Sequence, residues 1–269
     1  MRLGGNVFVV TGGGDGIGRA VVLELLRRGA RVAALDLREE GLAGTVRLAD
    51  VPADRLTSHV VDVSDVARVD TVSDEVLTAH GSVDGLLNVA GVIQRFVPFT
   101  DLAATDIEKV MAVNFWGVVH TTRAFLPHLL TRPEAALVNV SSMGAFVPVP
   151  GQTVYGASKA AVMLLTEGLY AELRGTPVSV TVVHPGGVAT HITENSGVEV
   201  PGGDRAAAQK GAPSVTSAED AARQVVDGMA SGAFRVVIGK DARMLDRLAR
   251  LSPRRATDLV ARRMAALLG

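Results

Sequence analysis

The segment NVFVVTGGGDGIG, residues 6–18, decides the architecture: an apolar run ends in a glycine cluster, and apolar residues then recur at helical spacing over Ile17–Arg28. Such a turn between a predicted strand and a predicted helix offers backbone N–H groups and a helix dipole to a pyrophosphate. Gly12 permits the tight turn, Gly16 lets the backbone approach phosphate oxygens, and Gly18, just after Ile17, lets the helix pack closely on the strand. Asp36 ends the next apolar run, 18 residues after Gly18. That is near the distance at which a carboxylate receives adenosine ribose hydroxyls in dinucleotide folds. A bare glycine turn would leave this acidic residue unexplained. Its charge would repel a 2′-phosphate, which favours NAD over NADP. Arg38 opposes that reading, being placed to reach a phosphate, to pair with Asp36 or to face water.

Outward from this segment, short apolar runs alternate with longer helical patterns as far as Ile238, predicting an α/β fold of parallel strands joined by crossover helices. The candidate strands are Asn6–Thr11, Arg31–Asp36, Leu56–Asp62, Gly85–Ala90, Ala136–Ser141, Val178–His184 and Phe234–Ile238. Each reads as nearly continuous in apolar residues and so as covered on both faces. Helical patterns fall at Ile17–Arg28, Glu39–Asp50, Val66–His80, Leu102–Leu130, Val154–Arg174 and Ala218–Ala230, the last capped by Ser217. No repeat or low-complexity linker divides the chain, so a single domain over 1–269 is expected. Residues 187–216 are too long for an ordinary connection and read as a lid. From Phe234 onward nine Lys and Arg face three Asp, and leucines recur at helical spacing. A basic amphipathic extension over about 240–269 follows, whose default role is a solvated face over a packed one.

Composition excludes several function classes. The 269 residues contain no cysteine, which removes disulfides, thiolate metal ligands and cysteine nucleophiles and fits a reducing, cytoplasmic compartment. A formal net charge of −1 is too near zero for a general nucleic-acid binder. No apolar stretch reaches the roughly 18 residues of a membrane span, and the N-terminus lacks a secretory cleavage site. Six histidines, at 59, 80, 120, 128, 184 and 191, show no paired metal spacing. No metal is expected, and His184 defaults to a structural role.

Candidate chemistry concentrates in SSMGAFVPVPGQTVYGASK, residues 141–159. Tyr155 and Lys159 are four apart and share one face of a helix. An ammonium there favours phenolate and draws the tyrosine down from about 10, making it a general acid or base near neutral pH. Ser142 closes a strand, where parallel-sheet enzymes hold their ligands, and is placed to hydrogen-bond a substrate oxygen.

Seven motifs, in order, are TGGGDGIG at 11–18, Asp62-Val63, NVAG at 88–91, Asn114, Ser142, YGASK at 155–159 and HPGGVAT at 184–190. Together they resemble the short-chain dehydrogenase/reductase superfamily over about residues 5–240. The resemblance implies a Rossmann-type, doubly wound, seven-stranded parallel sheet with helices on both faces. It also implies hydride transfer between NAD(P) and a secondary alcohol or ketone. Tyr155 would transfer the proton, Ser142 would orient the carbonyl or alcohol, and Lys159 would tune the tyrosine and bond the nicotinamide ribose. Asn114 would hold a water linking Lys159 to solvent. Asp62 and Val63 would contact adenine, and Asn88, Ala90 and Gly91 would line the ribose. Pro185 and Gly186 would continue the cofactor wall, with Val188 and Thr190 on the carboxamide side. A homotetramer or homodimer through the Leu102–Leu130 and Val154–Arg174 helices is implied as well. Val89 departs from the family's more frequent second asparagine.

Met143, Phe146, Val147, Val92, Ile93 and Phe96 flank the expected substrate position and suggest an apolar pocket. Trp116 and Phe115 read as helix-packing residues. Two competing readings are a 3-oxoacyl-thioester reductase, whose substrate phosphate the basic tail would attract, and a non-catalytic dinucleotide sensor. The intact Ser–Tyr–Lys set argues against the sensor.

Overall fold

The computed structural model describes residues 1–199 and 215–265. Seven strands, β1 (Val7–Thr11), β2 (Arg31–Asp36), β3 (Leu56–Val60), β4 (Gly85–Asn88), β5 (Ala135–Val140), β6 (Val178–Pro185) and β7 (Arg235–Ile238), form one parallel sheet in the order β3-β2-β1-β4-β5-β6-β7. Alternation along each strand builds two cores. Phe8, Val10, Val32, Ala34 and Val138 face α1 (Gly16–Arg27), α2 (Glu39–Ala49) and the helix Ala218–Ala230, while Val9, Ala33, Leu35, Leu86 and Leu137 face the opposite layer. That second layer comprises α3 (Val66–His80), α5 (Gly117–Leu130) and α6 (Thr153–Glu172). Strand order reverses between β1 and β4, so the crevice beyond their C-terminal ends is where such a sheet takes ligands.

Two expectations are corrected. Strand β3 is not covered on both faces: Ser58 and Val60 are exposed because β3 is an edge strand paired only with β2. Its Thr57 and His59 side chains instead bond His80 and Glu75 of α3. The single helix expected over Leu102–Leu130 is broken. Helix α4 (Ala104–Met111) passes through a π-helical turn, Ala112–Trp116, into α5.

After β6 come α7 (Ile192–Ser196), α8 (Ala218–Ala230), α9 (Lys240–Leu251) and α10 (Pro253–Arg263). Of the expected lid, residues 200–214 lie outside the described residues, as do 266–269 of the basic extension. Leu245, Ala256 and Val260 of the extension pack on Val147, with Met143, Phe146 and Val149 beside them. Among the described residues no helix is long and apolar enough to cross a membrane.

Candidate active site

A cleft of about 450 Å³ opens along the C-terminal strand ends. Its walls include Gly12, Gly16, Ile17, Gly18, Asp36, Asp62, Val63, Ala90, Gly91, Ser142, Tyr155, Lys159, Pro185, Gly186, Val188 and Thr190, so these sequence-selected residues meet in one place. Gly12 adopts φ +71°, and a Cβ on it would lie 3.0 Å from the Ala90 backbone. A Cβ on Gly18 would run into the Gly12 carbonyl oxygen. Turn and helix therefore close together only with glycine at both positions. The bare backbone leaves the kind of cradle a dinucleotide pyrophosphate requires at a helix N-terminus, and the chain's residues fit such a group.

The end of the cleft at Asp36 is charged and tied down. Asp36 Oδ2 accepts from the Gly14 N–H at 2.9 Å, and Oδ1 accepts from the Arg38 N–H at 2.9 Å. Asp15 caps α1 by accepting from the Gly16 N–H at 2.7 Å, and it also accepts from Asn195 Nδ2 at 2.9 Å. Burial alone would raise its carboxyl. The bonds from Asn195, Gly16 and His191 outweigh burial and hold it at about 2. Arg38 is committed locally, donating to Asn195 Oδ1 at 2.6 Å and lying 3.7 Å from Asp15 and 3.9 Å from Asp36.

The other end is buried. Lys159 is reached by water hardly at all, and its Nζ donates to the Val140 carbonyl at 3.0 Å. Burial draws its amine down to about 8. The expectation that Lys159 acidifies Tyr155 is corrected for this state: burial dominates and pushes the phenol up, and the hydrogen bond with the Ser142 side chain opposes that rise. Ser142 Oγ also accepts from the Gly144 N–H at 3.0 Å, which sets its rotamer. A Cβ on Gly91 would lie 3.1 Å from Lys159 Nζ and 3.2 Å from Asn114 Oδ1, so glycine leaves these two groups their room. A buried phenol hydrogen-bonded to Ser142, with a weakened amine at the same wall, is placed to pass a proton to or from a substrate oxygen in the cleft.

Two sequence-selected residues stand behind the wall. Asn88 does not line the cleft; its Nδ2 donates to Asn139 Oδ1 at 2.8 Å, and its Oδ1 accepts from Thr121 at 2.7 Å. Its register partner on β5 is Asn139, so its side chain joins the cross-strand network on one face of the sheet. Asn114, wholly buried in the π-helical turn, clamps Val92 by accepting from its N–H at 2.8 Å and donating to its carbonyl at 2.9 Å. It donates to Ser158 Oγ as well, at 3.0 Å.

The apolar flank divides. Val92 lines the cleft, whereas Val147 is core under α9 and α10. Trp116 is 51% exposed and stacked on His120 rather than packed inside.

His184 has the structural role its sequence position suggests, and sequence reasoning missed two further supports, at Arg235 and Asp241. The ring of His184 is buried, with Nδ1 3.2 Å from the Ser142 carbonyl oxygen; burial and the Arg235 charge draw it down to about 4. Arg235 lies over Phe146 and donates to Asp246 of α9 at 3.0 Å. Asp241 accepts from the Gly187 N–H at 2.9 Å. No spacing in the sequence signals any of these long-range pairs. Among the described residues no cluster of three or more His, Asp or Glu could hold a metal.

With this geometry in view, the chain belongs to the short chain dehydrogenase family, whose model matches residues 6–200. It is an oxidoreductase with a Rossmann nucleotide-binding fold. It is 39% identical over 252 residues to the putative oxidoreductase SadH of Mycobacterium tuberculosis, covering 92% of this chain and 91% of SadH. A short chain dehydrogenase/reductase of Burkholderia phymatum, solved in complex with NAD, superposes with a TM-score of 0.80 at 29% identity, covering 93% of this chain and 96% of that one. A short chain dehydrogenase of Burkholderia cenocepacia, solved with NADP, superposes with a TM-score of 0.79 at 27% identity, covering 97% and 99%.

Proposed function

We propose that the chain interconverts an apolar secondary alcohol and its ketone with NAD as hydride carrier. One observation carries this: Ser142, Tyr155 and Lys159 meet at one wall of the cleft whose other end presents Asp36. When bound, the nicotinamide supplies the hydride acceptor or donor. Ser142 orients the substrate oxygen. Tyr155 takes the alcohol proton during oxidation and returns it to the carbonyl oxygen during reduction. Lys159 would bond the nicotinamide ribose, and Asn114 holds the wall segment at Val92 beside the amine.

NAD preference rests on charge. Two carboxylates, Asp36 and Asp15, stand at the adenosine end, and the nearby cation, Arg38, is already engaged with both and with Asn195. A homotetramer or homodimer belongs to the same proposal. Leu164 of α6 is 69% exposed, and Trp116 and Tyr170 are uncovered with it.

A nicotinamide-fluorescence screen of secondary alcohols, hydroxysteroids and acyl thioesters with both cofactors tests the reading. NAD-dependent turnover of an alcohol or ketone is expected. Turnover of acyl thioesters alone, or NADH binding with no turnover, would replace the reading; tighter NADP binding would overturn the role of Asp36.

A further inference from the structure

We propose that Gln94 is a positioning residue for Tyr155, capping in trans the helix that carries it. Helix α6 begins at Thr153, and its N-cap residue, Gln152, makes no side-chain cap bond. An N-cap side chain ordinarily accepts from the second or third N–H of the helix, here those of Val154 and Tyr155. The Gln94 side-chain oxygen accepts both, at 2.8 and 3.0 Å. Gln152 answers by donating its Nε2 to the Gln94 carbonyl at 2.7 Å. Residue 94 thus does from another segment what the local cap leaves undone, and it does so on the N–H of the proposed proton-transfer residue itself.

Gln94 is held for this. Its segment is clamped by Asn114 on both polar atoms of Val92 and by Ser196, which accepts from the Ile93 N–H at 3.0 Å. Only 2% of Gln94 is exposed. Its Nε2 is buried without a partner among the described residues, a cost that a leucine at 94 would escape, and the Gln152 Oε1 is likewise unpartnered. The arrangement therefore trades satisfaction at one end of the amide for two bonds to the first turn of α6.

The inference rests on the proposed alcohol chemistry, and its test separates the two. Gln94→Leu and Gln94→Glu are compared with the parent for turnover of the best alcohol from the screen, for NADH binding, and for hydrogen exchange over residues 152–158. Gln94→Leu should lose about tenfold to a hundredfold in kcat at every pH, keep its NADH Kd within about twofold, and open exchange in the first turn. Gln94→Glu retains both acceptor bonds and sets a negative charge against the Tyr155 N–H, at the root of the helix turn that carries the phenol. Its kcat should fall at neutral pH and recover toward the parent as pH rises, an alkaline shift that a merely structural role would not produce. The proposal is overturned if Gln94→Leu keeps kcat within about twofold, if kcat and cofactor affinity fall in proportion, or if Gln94→Glu shows no shift. If the parent turns over no alcohol or ketone, the functional reading fails separately; exchange then decides, and unchanged protection in Gln94→Leu overturns the cap.

Discussion

The two ends of the cleft treat charge in opposite ways. At the end lined by Asp15 and Asp36 the Asp15 carboxyl is held at about 2 by hydrogen bonds that outweigh its burial, so its charge is locked on across the whole working range of pH. At the catalytic end burial wins: it draws Lys159 down to about 8 and pushes Tyr155 up, so both charged forms are disfavoured. The difference follows from partners. Asp15 and Asp36 accept N–H bonds from the glycine loop and its neighbours, whereas Lys159 has a single carbonyl among the described residues. One end is built to recognise, the other to titrate.

The largest expected effect breaks the titrating end. Tyr155→Phe should cost about a thousandfold in kcat while NADH binding stays within about twofold, checked by steady-state kinetics and fluorescence titration; retained turnover would remove the tyrosine from the mechanism.

Next is a pH effect on stability, from one histidine behind Ser142 and one at the end of α3. His184 and His80 are each drawn to about 4 from an ordinary 6.5, chiefly by burial. Between those values the unfolded chain binds protons that the folded one does not, so stability falls as pH drops from about 6.5 to about 4 and is level above. His184, the more deeply buried, accounts for up to about 3 kcal/mol of that loss and His80, nearer solvent, for less. Denaturant titrations at several pH values should show it, and His184→Gln should remove its share.

At the recognising end, Asp36→Asn should weaken NAD binding about tenfold and narrow the gap to NADP, read by parallel cofactor titrations. The smallest effect is at Arg38, which is 45% exposed; Arg38→Ala should change NAD affinity by less than about threefold, since exposed pairs contribute little.

What could be read from sequence follows the range of the contacts. The glycine turn, Asp36 and the Tyr155–Lys159 pair declare themselves because each is a local pattern on one strand end or one helix face. Asn88 was misplaced because a side chain at a strand end belongs to one face or the other, and register with Asn139 turned it away from the cleft. The break at Ala112–Trp116 left the apolar spacing of the surrounding helix nearly intact, which hid it. Gln94, His184 and Asp246 act through partners distant in the chain or on another element, and no periodicity encodes such pairs. The same holds for Val147: its burial depends on helices that arrive about a hundred residues later.

The claim on which the rest stands is that burial weakens the Lys159 amine, drawing it from the ordinary lysine value down to about 8. The chain has four lysines, at 109, 159, 210 and 240, so NMR titration of protein labelled with 13C at lysine Cε resolves the question, with Lys159→Met assigning the signal. The account predicts that the resonance lost in Lys159→Met has a midpoint near 8 in the parent. A midpoint for that resonance at the ordinary lysine value, above about 10, would contradict it.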